Sequence, residues 1–348
     1  MACPPAAMPK PQVPPVMARD ATVASRAGHV GRDGRRLTGQ PWWPAARRVF
    51  TALFLGGVLA LVAHHAHEVE WSSVLRTLRA YSAWLVLGAA ALAALSHALY
   101  ACYDLVGRRQ TGHRLPVRES AAVGFVSYAF NINLGSLVGG LAMRFRLYAR
   151  LGLKADVIAE VLALSVITNW LGYLFIGGLV FAVAPIALPP DWKLDGSGLH
   201  DLGLAMLLAA GAYIGLCRFS RRREWTVQGR VLRLPRGRLA ALQLALSTAN
   251  WAVMGGVVWV LLGRQIDYPS VVTVLLIAAV AGVIAHVPAG LGVLEAVFVA
   301  LLSHRVAPHE VIAALLAYRA IYYLVPLALA LPVFFALEAQ ARKGGALG

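Results

Sequence analysis

Residues 120–142 read SAAVGFVSYAFNINLGSLVGGLA, a stretch without a single charge. A helix of that length rises far enough, at about 1.5 Å per residue, to cross roughly 30 Å of hydrocarbon. Yet Asn131, Asn133, Gly135 and Ser136 crowd its second half, and all four are poor helix formers. Every backbone N–H and C=O must be satisfied inside a bilayer, so the cluster implies a break lined by protein or water. A second half-helix would begin near Gly135, turning free N–H groups and a positive dipole end toward an anion such as a lipid phosphate. Close packing through small residues explains Gly135, Gly139 and Gly140 equally well, but not the asparagines.

The rest of the chain agrees with a membrane setting. Of 348 residues, 59% are hydrophobic and 14% charged, against roughly 45–50% and about 25% in soluble domains. The clear apolar runs are 49–64, 81–103, 157–185, 202–217, 239–263 and 311–337, and a second interrupted segment covers 270–303. The fold class is therefore all-α, a polytopic helical membrane protein. A formal charge of +16 would suggest nucleic acid in a soluble domain, but the 32 Lys and Arg lie between apolar runs, and no nucleic-acid partner is expected.

Counting those charges sets the threading. If both interrupted segments enter and leave on one side as re-entrant hairpins, 26 of the 32 basic residues fall on the face bearing 1–48, 104–119, 143–156, 218–238 and 338–348. The positive-inside rule makes that face cytoplasmic. If 120–142 crossed fully, the eight arginines of 218–238 would face outward, which the rule disfavours. The expected architecture is six spans plus two oppositely oriented re-entrant hairpins, with both termini cytoplasmic. Residues 1–48, with eight basic residues and many prolines, read as a disordered cytoplasmic arm, 49–337 as one transmembrane domain and 338–348 as a tail. Met8 and Met17 offer alternative starts.

The second interrupted segment centres on AHVPAGLGVLEAVFVALL, residues 285–302. Pro288, Gly290 and Gly292 stop one half-helix, and Glu295 falls in the first turn of the next, where the dipole favours a carboxylate. Helix capping is the plain explanation for Glu295. An ionisable residue inside an apolar run is otherwise a functional one. Arg319, within the last run, is its expected partner, and Glu160 faces Arg144 or the same cavity, or else lies at the interface. Arg144, Arg146 and Arg150 either clamp a phosphate or hold their segment at an anionic leaflet. His286 reads as a core histidine, and Asn169 and Asn250 as interhelical hydrogen-bonding residues. His64, His65 and His67 lack a matching acid constellation, and no metal or cofactor is expected.

What is missing narrows the function. No P-loop, HExxH or GxSxG sequence occurs, and the longest internal loop, 218–238, is too short for a catalytic domain. Cys3, Cys102 and Cys217 form no CxxC pair. The chain is not expected to be an enzyme.

The segments YDLVGRRQTGH (103–113), SYAFNINLGSLVGGLAMRFRLYARLGL (127–153) and HVPAGLGVLEAVF (286–298) resemble the lysylphosphatidylglycerol synthase transmembrane-region family, especially its stand-alone bacterial inner-membrane members of the YbhN type. The resemblance covers about residues 45–340. In MprF-type relatives this region resembles a flippase for aminoacylated phosphatidylglycerol and is fused to a soluble aminoacyl-transferase domain, a part with no counterpart in this sequence. The resemblance implies the translocation half alone.

The expected function is translocation of a phospholipid or related polar lipid between leaflets, with an anionic or aminoacylated phospholipid as partner. Its expected binding residues are Asn131, Asn133, Gly135, Ser136, Arg144, Glu160, Pro288, Gly290, Gly292, Glu295 and Arg319. Arg144 and Arg319 would hold the phosphate, and Glu160 and Glu295 would balance charge. The alternatives are a membrane subunit that recruits a lipid-synthesis enzyme through loop 218–238, and an integral-membrane transferase using Glu295, His286 or His97. A homodimer is compatible with the resemblance, although no residue indicates one.

Overall fold

Charge ended the apolar run at 103, but capping ends the helix later. Ser82 accepts the Leu85 N–H at the start, and Gly112, at φ 68°, closes the far end by donating its N–H to the Arg108 carbonyl. The helix therefore continues past Asp104 to Thr111, carrying that acid into the bundle. The structure, a computed structural model, describes residues 71–183, 196–227, 230–285 and 287–345. The arm 1–48, the first apolar run 49–64, the histidines at 64, 65 and 67, and His286 lie outside the described residues.

The elements in order are α1 (Trp71–Ala80), α2 (Ala83–Thr111), α3 (Val117–Leu134), a π-helical stretch Ser136–Ala142 running into α4 (Met143–Arg150), α5 (Ala155–Val183) and α6 (Gly196–Phe219). A two-stranded antiparallel ribbon follows, β1 (Glu224–Val227) against β2 (Arg230–Arg233), with Glu224 opposite Arg233. Then come α7 (Gly237–Leu261), α8 (Tyr268–Ala285), a 3₁₀ turn Pro288–Gly290, α9 (Val293–Leu302), α10 (Pro308–Tyr318), a π-helical stretch Arg319–Leu324 and α11 (Val325–Gly345). Among the described residues, six helices are long and apolar enough to cross a membrane: 83–111, 155–183, 197–219, 237–261, 268–285 and 308–340. The ribbon, which loop 218–238 did not announce, is the only β-sheet among the described residues.

The helices α2, α5 and α7 form the centre, with α6 outside α5 and α3 along α2. Close crossings depend on missing side chains: a Cβ on Gly172 of α5 would collide with Ser247 of α7, and one on Gly107 of α2 with Val161 of α5. Buried tyrosines fill the space between α2, α3 and the last helix, among them Tyr103, Tyr128, Tyr318 and Tyr322.

Both interrupted segments fold back on themselves. Gly135, at φ 86° and ψ 165°, lies in a region open essentially to glycine alone, and its N–H caps the Asn131 carbonyl at 2.8 Å. The chain then returns along α3 so closely that a Cβ on Gly139 would strike the Phe130 carbonyl. The second fold-back turns through Ala289 at φ 56°, Gly290 at φ 58° and Gly292 at φ 77°, and α9 packs along α8. Each is thus a helical hairpin. The arms of the second are unequal, since α8, with 18 residues, spans about 27 Å while α9 has only 10.

Candidate functional site

The two hairpin tips meet at one place, the π-helical stretch Arg319–Leu324. Pro326 helps make that stretch by lacking the N–H that would reach the Tyr322 carbonyl, and the Val325 N–H instead reaches back to Ala320. Widened helices of this kind expose carbonyls for other partners. The Tyr323 carbonyl accepts the Asn133 side-chain N–H at 3.2 Å, and Asn133 also donates to the Ala129 carbonyl at 2.8 Å. The turn 288–290 lies against α3, so the two breaks are neighbours.

At the other end of the stretch, Arg319 is almost fully engaged. Its Nε donates to Glu295 Oε1, one Nη to Glu295 Oε2 and to the Gly290 carbonyl, each at 3.0 Å, and the other Nη to the Ala289 carbonyl at 3.0 Å. That uses four of the five guanidinium donors. Tyr323 covers the guanidinium at 5.5 Å. Glu295 accepts the Gly292 N–H at 3.0 Å as well, so it both caps α9 and pairs with Arg319. The Glu295–Arg319 ion pair expected from sequence is present, with side chains 22% and 12% exposed. Its geometry is that of a clasp on the left-handed turn, not of a cation waiting for phosphate.

The second arginine differs. Arg144, 3% exposed, points an Nη at Asp104 Oδ1 at 3.1 Å and lies 5.9 Å from the centre of the Tyr100 ring. Asp104 is wholly buried and accepts the Tyr148 hydroxyl at 2.8 Å. Arg144 Nε lacks a hydrogen-bond partner. A buried guanidinium with an unpartnered Nε has capacity for another acceptor. Of the readings open for Glu160, facing Arg144 is the one the structure does not show: Asp104, brought inward by the longer α2, takes that place, while Glu160 sits near Arg233 on the ribbon side.

A column of aromatic rings and hydroxyls joins the two charged centres. Tyr100 stacks on Tyr128 at 3.7 Å, and the Tyr128 and Tyr322 hydroxyls are 2.7 Å apart. Tyr322 continues to the Ser96 hydroxyl at 2.6 Å, and Ser96 donates to Asn250 at 2.7 Å. Tyr322 also stacks on Tyr318, one residue before Arg319. Asn250 thus makes the interhelical bond expected of it, whereas Asn169 contributes its carbonyl, accepting from Trp251 at 3.1 Å. His97 packs among Phe125, Tyr128 and Tyr322 and bonds the Ala93 carbonyl at 2.9 Å.

The remaining expected residues serve the hairpins. Asn131 contributes its carbonyl to the Gly135 cap, and its side chain fills the space where a Cβ on Gly140 would stand. Ser136 is exposed at the start of the returning arm. Arg146 pairs with Glu338 of α11 at 2.9 Å and Arg150 is exposed. Just beyond α2, burial pushes the His113 imidazole below its ordinary value, with Arg108 adding to the effect, and the ring sits 6.0 Å from Tyr148. Among the described residues, no group of three His, Cys, Asp or Glu could hold a metal ion.

Sequence comparison places this arrangement. Residues 49–330 match the family model described as the lysylphosphatidylglycerol synthase TM region. The chain belongs to this family. Its similarity to the inner membrane protein YbhN of Escherichia coli (strain K12) is 43% identity over 304 residues, covering 87% of this chain and 96% of that protein. An uncharacterized Synechocystis protein is 33% identical over 268 residues, 75% of this chain and 82% of its own length. A phosphatidylglycerol lysyltransferase of Staphylococcus haemolyticus is 23% identical over 313 residues, which is 85% of this chain but 34% of that enzyme. The protein is a multi-pass membrane member of the family, with the family region occupying most of its length.

Proposed function

We propose that this inner-membrane protein moves an anionic or aminoacylated phospholipid, or a related polar lipid, between leaflets. The observation that carries the proposal is the meeting of two broken helical hairpins on one π-helical stretch. Interrupted helices whose ends approach the same place are the usual construction of a midplane site in transporters. The hairpins are read as re-entrant from opposite faces, with both termini cytoplasmic, a reading that the distribution of Lys and Arg supports. Asn131, Asn133, Gly135 and Ser136 belong to one half-site, and Pro288, Gly290, Gly292 and Glu295 to the other. Arg319 is assigned to holding the second half-site together, and Arg144, with donors to spare, to receiving the lipid phosphate.

The test is transbilayer movement of labelled phosphatidylglycerol and lysyl-phosphatidylglycerol in proteoliposomes of the full chain. Movement lost on Arg144→Gln, in protein that remains folded, is expected. Folded protein that moves neither lipid would overturn the proposal.

A further inference from the structure

The charges around Arg144 balance only as long as nothing else arrives. Asp104 is fully buried and Arg144 is 3% exposed, so the pair is a desolvated neutral unit. Bringing a lipid phosphodiester to Arg144 would place two anions on one buried cation, and an uncompensated buried charge costs several kcal/mol or more. The centre can accept the anion and stay neutral only by taking up a proton as well. We propose that lipid movement is coupled to protons, one carried on Asp104 for each phosphodiester held by Arg144.

This inference rests on the translocation reading and deepens it. Within the cluster, Asp104 is the only acid. It pairs with Arg144 and accepts from Tyr148, both of α4; Arg144 lies by Tyr100 of α2, which stacks with Tyr103 and with Tyr128 of α3, and further along α2 Gly107 meets the apolar Val161 of α5. On α7, Asn250, which does not titrate, accepts its hydrogen bond from Ser96 of α2. Tyr148 bonds one carboxylate oxygen, Oδ2, and Arg144 pairs with the other, Oδ1. A Cβ on Gly124 would stand 3.2 Å from the carboxylate carbon, so a glycine keeps the neighbouring helix clear of the group. His113, beyond the end of α2, packs on the edge of Tyr148.

The step balances. A proton from water on the acidic side forms an O–H bond at Asp104, and Arg144 keeps its own protons and transfers its ion pair to the phosphodiester. No bond in the lipid is broken. On the alkaline side the phosphodiester leaves, the proton returns to water, and the Asp104–Arg144 pair re-forms. Loaded and empty centres are both neutral, and the lipid travels in the same direction as the proton.

The experiment reconstitutes the full chain in phosphatidylcholine vesicles with a trace of labelled phosphatidylglycerol, with and without an imposed pH gradient. The unmodified protein should draw the label into the leaflet on the alkaline side, toward about a tenfold excess per pH unit for one proton per lipid. Asp104→Asn should lose the accumulation under a gradient, and Asp104→Glu should retain it with a displaced pH profile. Label that the unmodified protein distributes evenly under a gradient would overturn proton coupling while leaving translocation standing, as would a full response in Asp104→Asn. No movement by the unmodified protein under either condition would overturn the translocation reading itself.

Discussion

Replacing Arg319 by Met removes a guanidinium that makes two hydrogen bonds to Glu295 and one each to the Ala289 and Gly290 carbonyls. Removing one partner of a fully buried pair costs about 3–5 kcal/mol, chiefly because the other charge is left stranded. Glu295 is 22% exposed and keeps its bond from the Gly292 N–H, so the lower end, about 3 kcal/mol, applies. At about 2–4 °C per kcal/mol for chains of moderate size, the apparent unfolding temperature in detergent should fall by roughly 6–12 °C. Adding Glu295→Gln removes the stranded charge while an amide oxygen remains to cap α9. The double variant should therefore recover about 1–2 kcal/mol of the loss, leaving a coupling between the two sites of that order. If Arg319 were instead an open receptor for phosphate, its loss would leave stability in detergent nearly unchanged and act on transport alone. An unfolding temperature within about 1 °C of the unmodified protein, or a double variant no better than the single, would refute the clasp.

The tie between the hairpins predicts a local effect. Asn133→Ala removes the bond to the Tyr323 carbonyl, worth about 1 kcal/mol, and should speed amide exchange in the segment that follows Tyr323 while leaving α5 and α6 protected. Exchange that is unchanged there would show that the first hairpin does not restrain the last helix. Gly139→Ala should lower folded yield sharply, because the added methyl meets the Phe130 carbonyl, whereas Gly88→Ala, with nothing within 4 Å, should be neutral. At the start of α8, Asp267 accepts the Ser270 N–H at 3.0 Å, and Asp267→Ala should cost about 1 kcal/mol near neutrality. Burial opposes the charge there, but the Ser270 hydroxyl and amide together with Arg305 outweigh it and hold the carboxyl below its ordinary value. The folded value therefore lies below the unfolded one, so the stabilisation is complete above the unfolded value and disappears as pH falls through the folded one. The difference in unfolding temperature between Asp267→Ala and the unmodified protein should narrow in acid, and an undiminished difference would refute the assignment.

The parts of this fold that were legible in the sequence are those that charge and helix breaking control. Apolar runs marked the long helices, and Asn133, Gly135, Pro288 and Gly290 marked the fold-backs, because backbone satisfaction inside a bilayer leaves little freedom at such residues. The Glu295–Arg319 pair was legible for the same reason, since an isolated charge at that depth needs a partner. Asp104 was missed because it stands at the edge of an apolar run, next to Arg108 and Arg109, and looks like loop charge; only the cap at Gly112 reveals that α2 continues beyond it. The tyrosine column left a fainter trace. Tyr318 and Tyr322 are one helical turn apart, as are Tyr100 and Tyr103, but tyrosines at that spacing are common in ordinary cores, and their hydroxyl contacts depend on three helices distant in sequence.

In the proposed reading, the two arginines within the bundle divide the work that the sequence assigns to both. Arg319 spends its donors on the carbonyls of a left-handed turn, where Ala289 adopts a conformation that L residues disfavour and that a rigid partner must hold. A group so committed can release a lipid phosphate only by letting its own hairpin go. Arg144 meets a single carboxylate and a ring face, so exchanging that carboxylate for a phosphodiester costs the fold one ion pair rather than a hairpin. In that reading the exchange reaches the tips through the shared π-helical stretch, since Tyr128 contacts Tyr322 within it and Tyr100 lies between Tyr128 and Arg144. Movement of Arg144 away from Tyr100 would loosen the stack that holds Tyr322, and with it the segment to which both hairpins are tied.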